Sequence, residues 1–361
     1  VDRDLADAVG SKMANLGEII KKTDIRVPLG FVITAYAYRK FLDHNDLQSE
    51  INRRIQSADL TDMETLYKSS SEIQQLIIHS QVPADLSAAL SDAWKRLEDE
   101  QGRPITVALR SSAIGEDQTS STFAGQYRSE LNVSRENILQ AYKEILASKY
   151  SLQAIAYRLN KGFRDEDIAM CVGCMVMVDA TAGGVIYSCN PVDSGDRSIF
   201  INAALGLPKS VVDGSTACDL FVVSRDDPSQ IVREDIQIKT QKFVCYPKEG
   251  VCRMDLTGMA GSLPAIERQH VTWLAHKALT IESFYTTHQD IEWAMEADGT
   301  IFILQCRPLV LTDTPSLETD AENPSKNGEN VLLRGGITAS AGAACGPVYM
   351  VDKEFDVLGF P

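Results

Sequence analysis

Residues 290–308 read DIEWAMEADGTIFILQCRP and carry the pattern of a β-hairpin. Two strand-like runs, 290–294 and 301–305, flank Asp298-Gly299. That dipeptide favours a tight hairpin turn, because both residues tolerate positive φ. Side chains of paired strands alternate between faces. Glu292 and Gln305 can therefore share one side, with Arg307 two residues beyond Gln305 on the same face. Two side-chain oxygens so placed are donors of the kind Mg²⁺ takes, with phosphates and water completing its shell. A neighbouring guanidinium can neutralise a phosphate. The same residues, taken alone, also fit a polar strand pair on a surface.

Working outward, residues 271–286 are apolar at helical spacing, through Val271, Leu274, Ala278, Ile281 and Tyr285. Residues 198–202, 220–224 and 236–245 read as strands. Apolar runs at 169–178 and 184–189 are separated by a turn-like 179–183, and predict a hairpin or two adjacent strands. In the first half, 10–22 is helical, 27–30 a turn, 31–34 a short buried strand and 36–42 a helix. Residues 46–101 suggest a small helical insertion, and 105–110 a strand. Residues 135–150 are amphipathic, with Ile138, Tyr142, Ile145 and Lys149 on one face. Residues 312–330 are polar, with Leu317 the only large apolar side chain, and predict a solvated linker. Residues 331–361 start something new that is too short to bury a core alone.

The chain has 361 residues and a formal charge of −15, with 44% hydrophobic and 24% charged residues. This is a soluble globular composition, long enough for two to three domains. The negative field argues against a general nucleic-acid coat or an anionic-membrane binder. No stretch reads as membrane-spanning: the least charged, 168–192, is broken by Asp179 and Gly183-Gly184. The chain starts with Val and shows no signal peptide, so the expectation is a cytoplasmic fragment of something longer. Eight scattered cysteines fit reduced thiols. Cys171 and Cys174 form the only CxxC, lack a second pair at zinc spacing, and predict a buried strand.

Three further clusters carry chemistry. Lys12 follows Gly10-Ser11 at a loop-to-helix junction, where free backbone N–H groups and an ammonium can converge on phosphate. It is not a P-loop, since no GxxxxGK[ST] is present. Arg110 ends a strand and is followed by Ser111, Ser112 and a glycine, a plausible anion clamp. Residues 120–126, SSTFAGQ, form a small hydroxyl-rich loop able to fold over phosphates. Each cluster alone also fits an ordinary solvated loop or helix start.

GSKMANLGE, VPLGFVIT, LRSSAIGED, STFAGQY, Asn190-Pro191, ALGLPKSVVDG, DIEWA and ILQCRPL occur together and in order. This set resembles the ATP-binding N-terminal domain of the phosphoenolpyruvate synthase and pyruvate phosphate dikinase family, over about residues 9–310. The resemblance implies an α+β, ATP-grasp-like, two-lobed domain. The first lobe would span 1–185, including the 46–101 insertion, and the second 186–311. A linker at 312–330 would lead to the truncated start of a swivelling phosphohistidine domain at 331–361. Lys12 and Arg110 would bind the phosphates, with Ser112, Thr122 and Gly125 beside them in the clamp and the closing loop. Glu292 and Gln305 would hold Mg²⁺, and Arg307 would stabilise charge on the transferred group. Lys12, Arg110 and Arg307 are thus the expected catalytic residues, and ATP and Mg²⁺ the expected ligands. The acceptor would be a His on a missing domain, which then swings to a separate pyruvate or phosphoenolpyruvate site. No Thr-Ser-His acceptor run is present, and His44, His79, His270, His276 and His288 read as structural or exposed.

Several positions depart from the family pattern. Ser11 and Met13 replace glycines, Met175 stands near where a base-reading Gln is usual, and Lys209 follows Pro208 where an acid is usual. These departures leave open a drifted nucleotide-sensing module. A fragment of an enzyme like rifampicin phosphotransferase is a further alternative, because such enzymes share a similar acceptor domain in a different domain order.

Overall fold

The computed structural model describes residues 1–57, 62–118, 121–122, 127–193, 195–246, 250–309 and 311, with backbone alone at 117, 118, 121 and 122. In chain order the elements begin α1 (Ala6–Val9), α2 (Ser11–Lys22), β1 (Gly30–Ile33) and α3 (Ala35–His44). A helical run follows: α4 (Leu47–Gln56), α5 (Met63–His79) and α6 (Ala84–Gln101). Next come β2 (Val107–Ala113), β3 (Asp117–Gln118), β4 (Ser121–Thr122), β5 (Ser129–Val133), α7 (Ile138–Ser148), α8 (Leu152–Lys161) and β6 (Met170–Val176). The remainder is β7 (Ala182–Tyr187), β8 (Ile199–Leu205), α9 (Lys209–Val212), β9 (Asp219–Val223), β10 (Ile231–Asp235), β11 (Gln241–Tyr246) and β12 (Gly250–Asp255), then α10 (Arg268–Tyr285), β13 (Gln289–Met295) and β14 (Ile301–Pro308). The α+β class expected from the sequence is the class observed.

Two antiparallel sheets organise these elements. The first has the order β1-β6-β2-β5, the second β10-β9-β8-β7-β13-β14. Helices α3 to α8 cover the first sheet, with Phe41, Ile51, Leu66, Ile77, Trp94 and Tyr142 fully buried in one core. The apolar stripe of α10 packs on the second sheet, where Val271, Leu274, Ala278 and Ile281 join Ile201, Phe221 and Trp293. Burying a side chain of that size stabilises by roughly 1.5–3 kcal/mol, so these stripes set the helices' orientation.

The N-terminal helix α2 joins the second core rather than the first. Met13, Leu16 and Ile19 lie among the second sheet's side chains, and the Tyr285 hydroxyl donates to the Asn15 carbonyl at 2.8 Å. Two residues earlier the Met13 N–H donates to Ser112 Oγ of β2 at 3.2 Å. One helix therefore bridges the two sheets.

The runs at 169–178 and 184–189 are predicted to lie side by side, and the structure separates them. β6 sits between β1 and β2, whereas β7 sits between β8 and β13. Both strands are buried on both faces, so their continuous apolar runs carry no alternation to name a partner. All six residues of β7 pair within the second sheet, so a lobe boundary at 185/186 falls inside a strand. The strand expected at 236–245 forms only from Gln241, in a hairpin with β12. Ahead of it, the Gln237 N–H and Lys239 Nζ donate to the buried carboxylate of Asp219 at 2.9 and 2.6 Å. That carboxylate substitutes for a strand partner at 237. Cys171 and Cys174 lie buried in β6, and burial pushes the Cys171 thiol up to about 12. The linker and the start of the further domain expected beyond residue 311 lie outside the described residues, and among those described no helix is long and apolar enough to cross a membrane.

Candidate functional site

The hairpin read from residues 290–308 is present, and its register places Glu292 directly opposite Gln305 and Asp290 opposite Arg307. A bulge after Glu292 re-aims the strand beside these residues. The polar side chains face the first sheet across a cleft of about 960 Å³. That volume lies in the range of small-ligand sites. Its walls carry Lys12 from α2, Arg110 from β2 and Met175 from β6. Facing them are Glu292, Gln305 and Arg307 from β13 and β14. Four far-separated segments, α2, β2, β6 and the β13–β14 hairpin, thus bring one set of groups together.

Each of these cations has its own carboxylate. Lys12 Nζ donates to Glu116 Oε1 at 2.6 Å. Arg110 donates from one nitrogen to Glu292 Oε2 at 2.8 Å and to Gln305 Oε1 at 3.2 Å. Arg307 donates from Nε and a terminal nitrogen to Asp290 Oδ2, at 2.9 and 2.6 Å. Burial alone would raise the Glu292 carboxyl, but the charge and hydrogen bond of Arg110, with Lys12 and Arg307 behind it, hold it below the usual range. An acidic protein therefore contains a cleft in which charge is balanced pair by pair.

The junction that presents Lys12 depends on Gly10. Its backbone has φ +76° and ψ 158°, a region open essentially only to glycine. A Cβ there would stand 1.9 Å from the Ser112 carbonyl oxygen. Helix α2 consequently starts against the end of the strand that carries Arg110.

Glu292 and Gln305 can hold a hard cation. Their oxygens converge on one nitrogen of Arg110, so the pair already presents hard oxygen donors to a single positive charge. Two protein oxygens are the usual contribution to a Mg²⁺ site that phosphates and water complete.

The structure brings Lys12, Arg110, Met175, Glu292, Gln305 and Arg307 to one cleft. Ser112 lies behind it, fully buried, with its hydroxyl taken by the Met13 N–H, while Ser111 lines the wall. The Thr122 side chain and Gly125 lie outside the described residues. Lys209 lines the far wall, and its ammonium pairs with Asp213 at 2.8 Å. Sequence reasoning assigned no role to Asp290 or Glu116. The first was available from the same hairpin register that gave Glu292. The second pairs with a residue 104 positions away, which no local pattern reveals.

Across residues 6–327 the chain matches the pyruvate phosphate dikinase AMP/ATP-binding domain, and it belongs to that family. It is 34% identical over 343 residues to a phosphoenolpyruvate synthase of Neisseria meningitidis, covering 91% of this chain and 43% of the relative. It is 32% identical over 359 residues to a probable phosphoenolpyruvate synthase of Archaeoglobus fulgidus, covering 99% of this chain and 47% of the relative. A rifampicin phosphotransferase of Bacillus cereus is 29% identical over 318 residues, covering 87% of this chain and 36% of the relative. The chain thus spans less than half the length of these relatives.

Proposed function

We propose that the cleft binds Mg²⁺-ATP and that the chain is the nucleotide-binding part of a cytoplasmic, dikinase-type phosphotransferase like phosphoenolpyruvate synthase. The observation that carries this is the convergence of Glu292 and Gln305 oxygens on Arg110, with Lys12 and Arg307 in the same cleft. In this reading the fold is ATP-grasp-like. The two sheets are its lobes, meeting at residues 177–181, with a linker at 312–330 and the start of a swivelling phosphohistidine domain at 331–361.

Phosphoryl transfer needs positioning and charge neutralisation more than covalent help from the protein. Lys12 directs one ammonium N–H to Glu116 and keeps two for phosphate oxygens. Arg110 leaves Glu292 and Gln305 for the phosphates as the nucleotide enters. Those two residues would then hold Mg²⁺, which supplies charge neutralisation across the phosphate oxygens. Arg307, clamped by Asp290, would hold its guanidinium charge beside the group in transfer. Ser112, Thr122 and Gly125 would support the clamp and its closing loop.

The phosphoryl or pyrophosphoryl group passes, in this proposal, to a His on a further domain, and from there to pyruvate or to a drug. Incubating the intact protein with labelled ATP tests it. Acid-labile, base-stable label on a histidine is the expected product, and its absence with ATP bound refutes the transfer. A nucleotide-sensing role is the second reading. It is favoured by Met175, which lines the cleft without an amide, and by Lys209, which is engaged by Asp213.

A further inference from the structure

Glu116 is a buried carboxylate that the reading above names only as a partner of Lys12. It is 1% exposed, and both its oxygens are committed. Oε2 accepts from the Ala113 N–H at 3.0 Å, at the last residue of β2. Oε1 accepts from Lys12 Nζ at 2.6 Å. The turn holding it is tight: the Glu116 N–H donates to the Ala113 carbonyl at 3.3 Å, and Gly115 between them has φ +77°. The carboxylate is therefore fixed to the backbone of the strand that also carries Arg110.

Lys12 is in the opposite situation. It is a long side chain with much rotamer freedom, on a helix whose core lies with the other sheet. It is 8% exposed, and an ammonium that buried needs a partner. We propose that Glu116 is a positioning residue that aims the Lys12 ammonium at the phosphate end of the cleft. The inference rests on the proposed role of Lys12. Glu116 fixes one of three N–H groups, which directs the other two and couples the α2 start to the end of β2.

The substitution Glu116→Gln isolates this contact. The amide carbonyl it introduces can still accept from Ala113 and keep the turn, while the amide NH₂ can only face the ammonium with another donor. The experiment is a double-mutant cycle on ATP affinity, measured by calorimetry with Mg²⁺ on wild type, Lys12→Ala, Glu116→Gln and the double variant. Glu116→Gln should weaken ATP by at least about tenfold when Lys12 is present, the loss of one charge-assisted contact. In the Lys12→Ala background it should change nothing. Equal weakening in both backgrounds means a merely structural turn and overturns the inference, as does wild-type affinity in Glu116→Gln. If Glu116→Gln does not fold, Glu116→Asp replaces it in the cycle: a smaller loss confined to the Lys12 background supports the inference, and none overturns it. Unchanged affinity in Lys12→Ala, or no ATP binding by wild type, instead refutes the phosphate-binding role of Lys12, and the inference falls with it.

Discussion

Glu292 and Gln305 stand directly opposite each other on β13 and β14, and an oxygen of each reaches the same nitrogen of Arg110, at 2.8 and 3.2 Å. One residue of register slip would turn one of the two to the opposite face of the sheet. The bulge after Glu292 and the tight turn at Asp298-Gly299 fix that register. The pair is thus held by strand geometry, and Arg110 links it to the first sheet.

Arg307 should matter for transfer more than for binding. Its guanidinium is clamped by Asp290 and lines the cleft. In the intact protein, Arg307→Ala should reduce labelling of the acceptor histidine on the order of 10³-fold. ATP affinity should stay within a few-fold of wild type. Near-normal labelling would remove the role given to Arg307.

The acid limb of stability should respond to Glu292. Its carboxyl lies below the ordinary value of 4.5, because the charge of Arg110, Lys12 and Arg307 outweighs burial. An acid with a depressed folded-state pKa stabilises above its unfolded value, and loses that contribution as pH falls through the folded one. The contribution is complete at neutral pH and fades below 4.5. Denaturant midpoints measured from neutral to acid should therefore fall less steeply below that value in Glu292→Gln than in wild type. Parallel acid limbs would contradict the assignment.

Gly10 should tolerate no side chain. Alanine there faces both a glycine-only backbone conformation and the Ser112 carbonyl at 1.9 Å. Gly10→Ala should lower stability by about 1–3 kcal/mol. It should also displace the start of α2, weakening ATP binding through Lys12. Unchanged denaturation and unchanged ATP affinity together would show that the junction yields without cost.

Much of this was legible in the sequence, for local reasons. Asp298-Gly299 between two short runs gave the hairpin, and period-2 geometry put Glu292, Gln305 and Arg307 on one face. The stripe from Val271 to Tyr285 gave α10. The partners of β6 and β7 were not legible, because fully buried strands look alike whichever sheet they join. Residues 236–240 read as strand because they are extended in composition, yet Asp219, a distant carboxylate, takes the N–H of Gln237. The membership of α2 in the second core and the pairing of Lys12 with Glu116 depend on tertiary contacts across the cleft. Ser112 carries a hydroxyl suited to phosphate, but that hydroxyl serves the helix start.

If Glu292 and Gln305 hold the metal, nucleotide binding depends on a divalent cation. Calorimetric titration with ATP, with and without Mg²⁺, on wild type and Glu292→Gln tests it most directly. Wild type should bind ATP tightly only with Mg²⁺, and Glu292→Gln should bind it weakly and alike in both conditions. Wild-type binding indifferent to Mg²⁺, or full Mg²⁺ dependence retained in Glu292→Gln, would show that these two residues do not hold the metal.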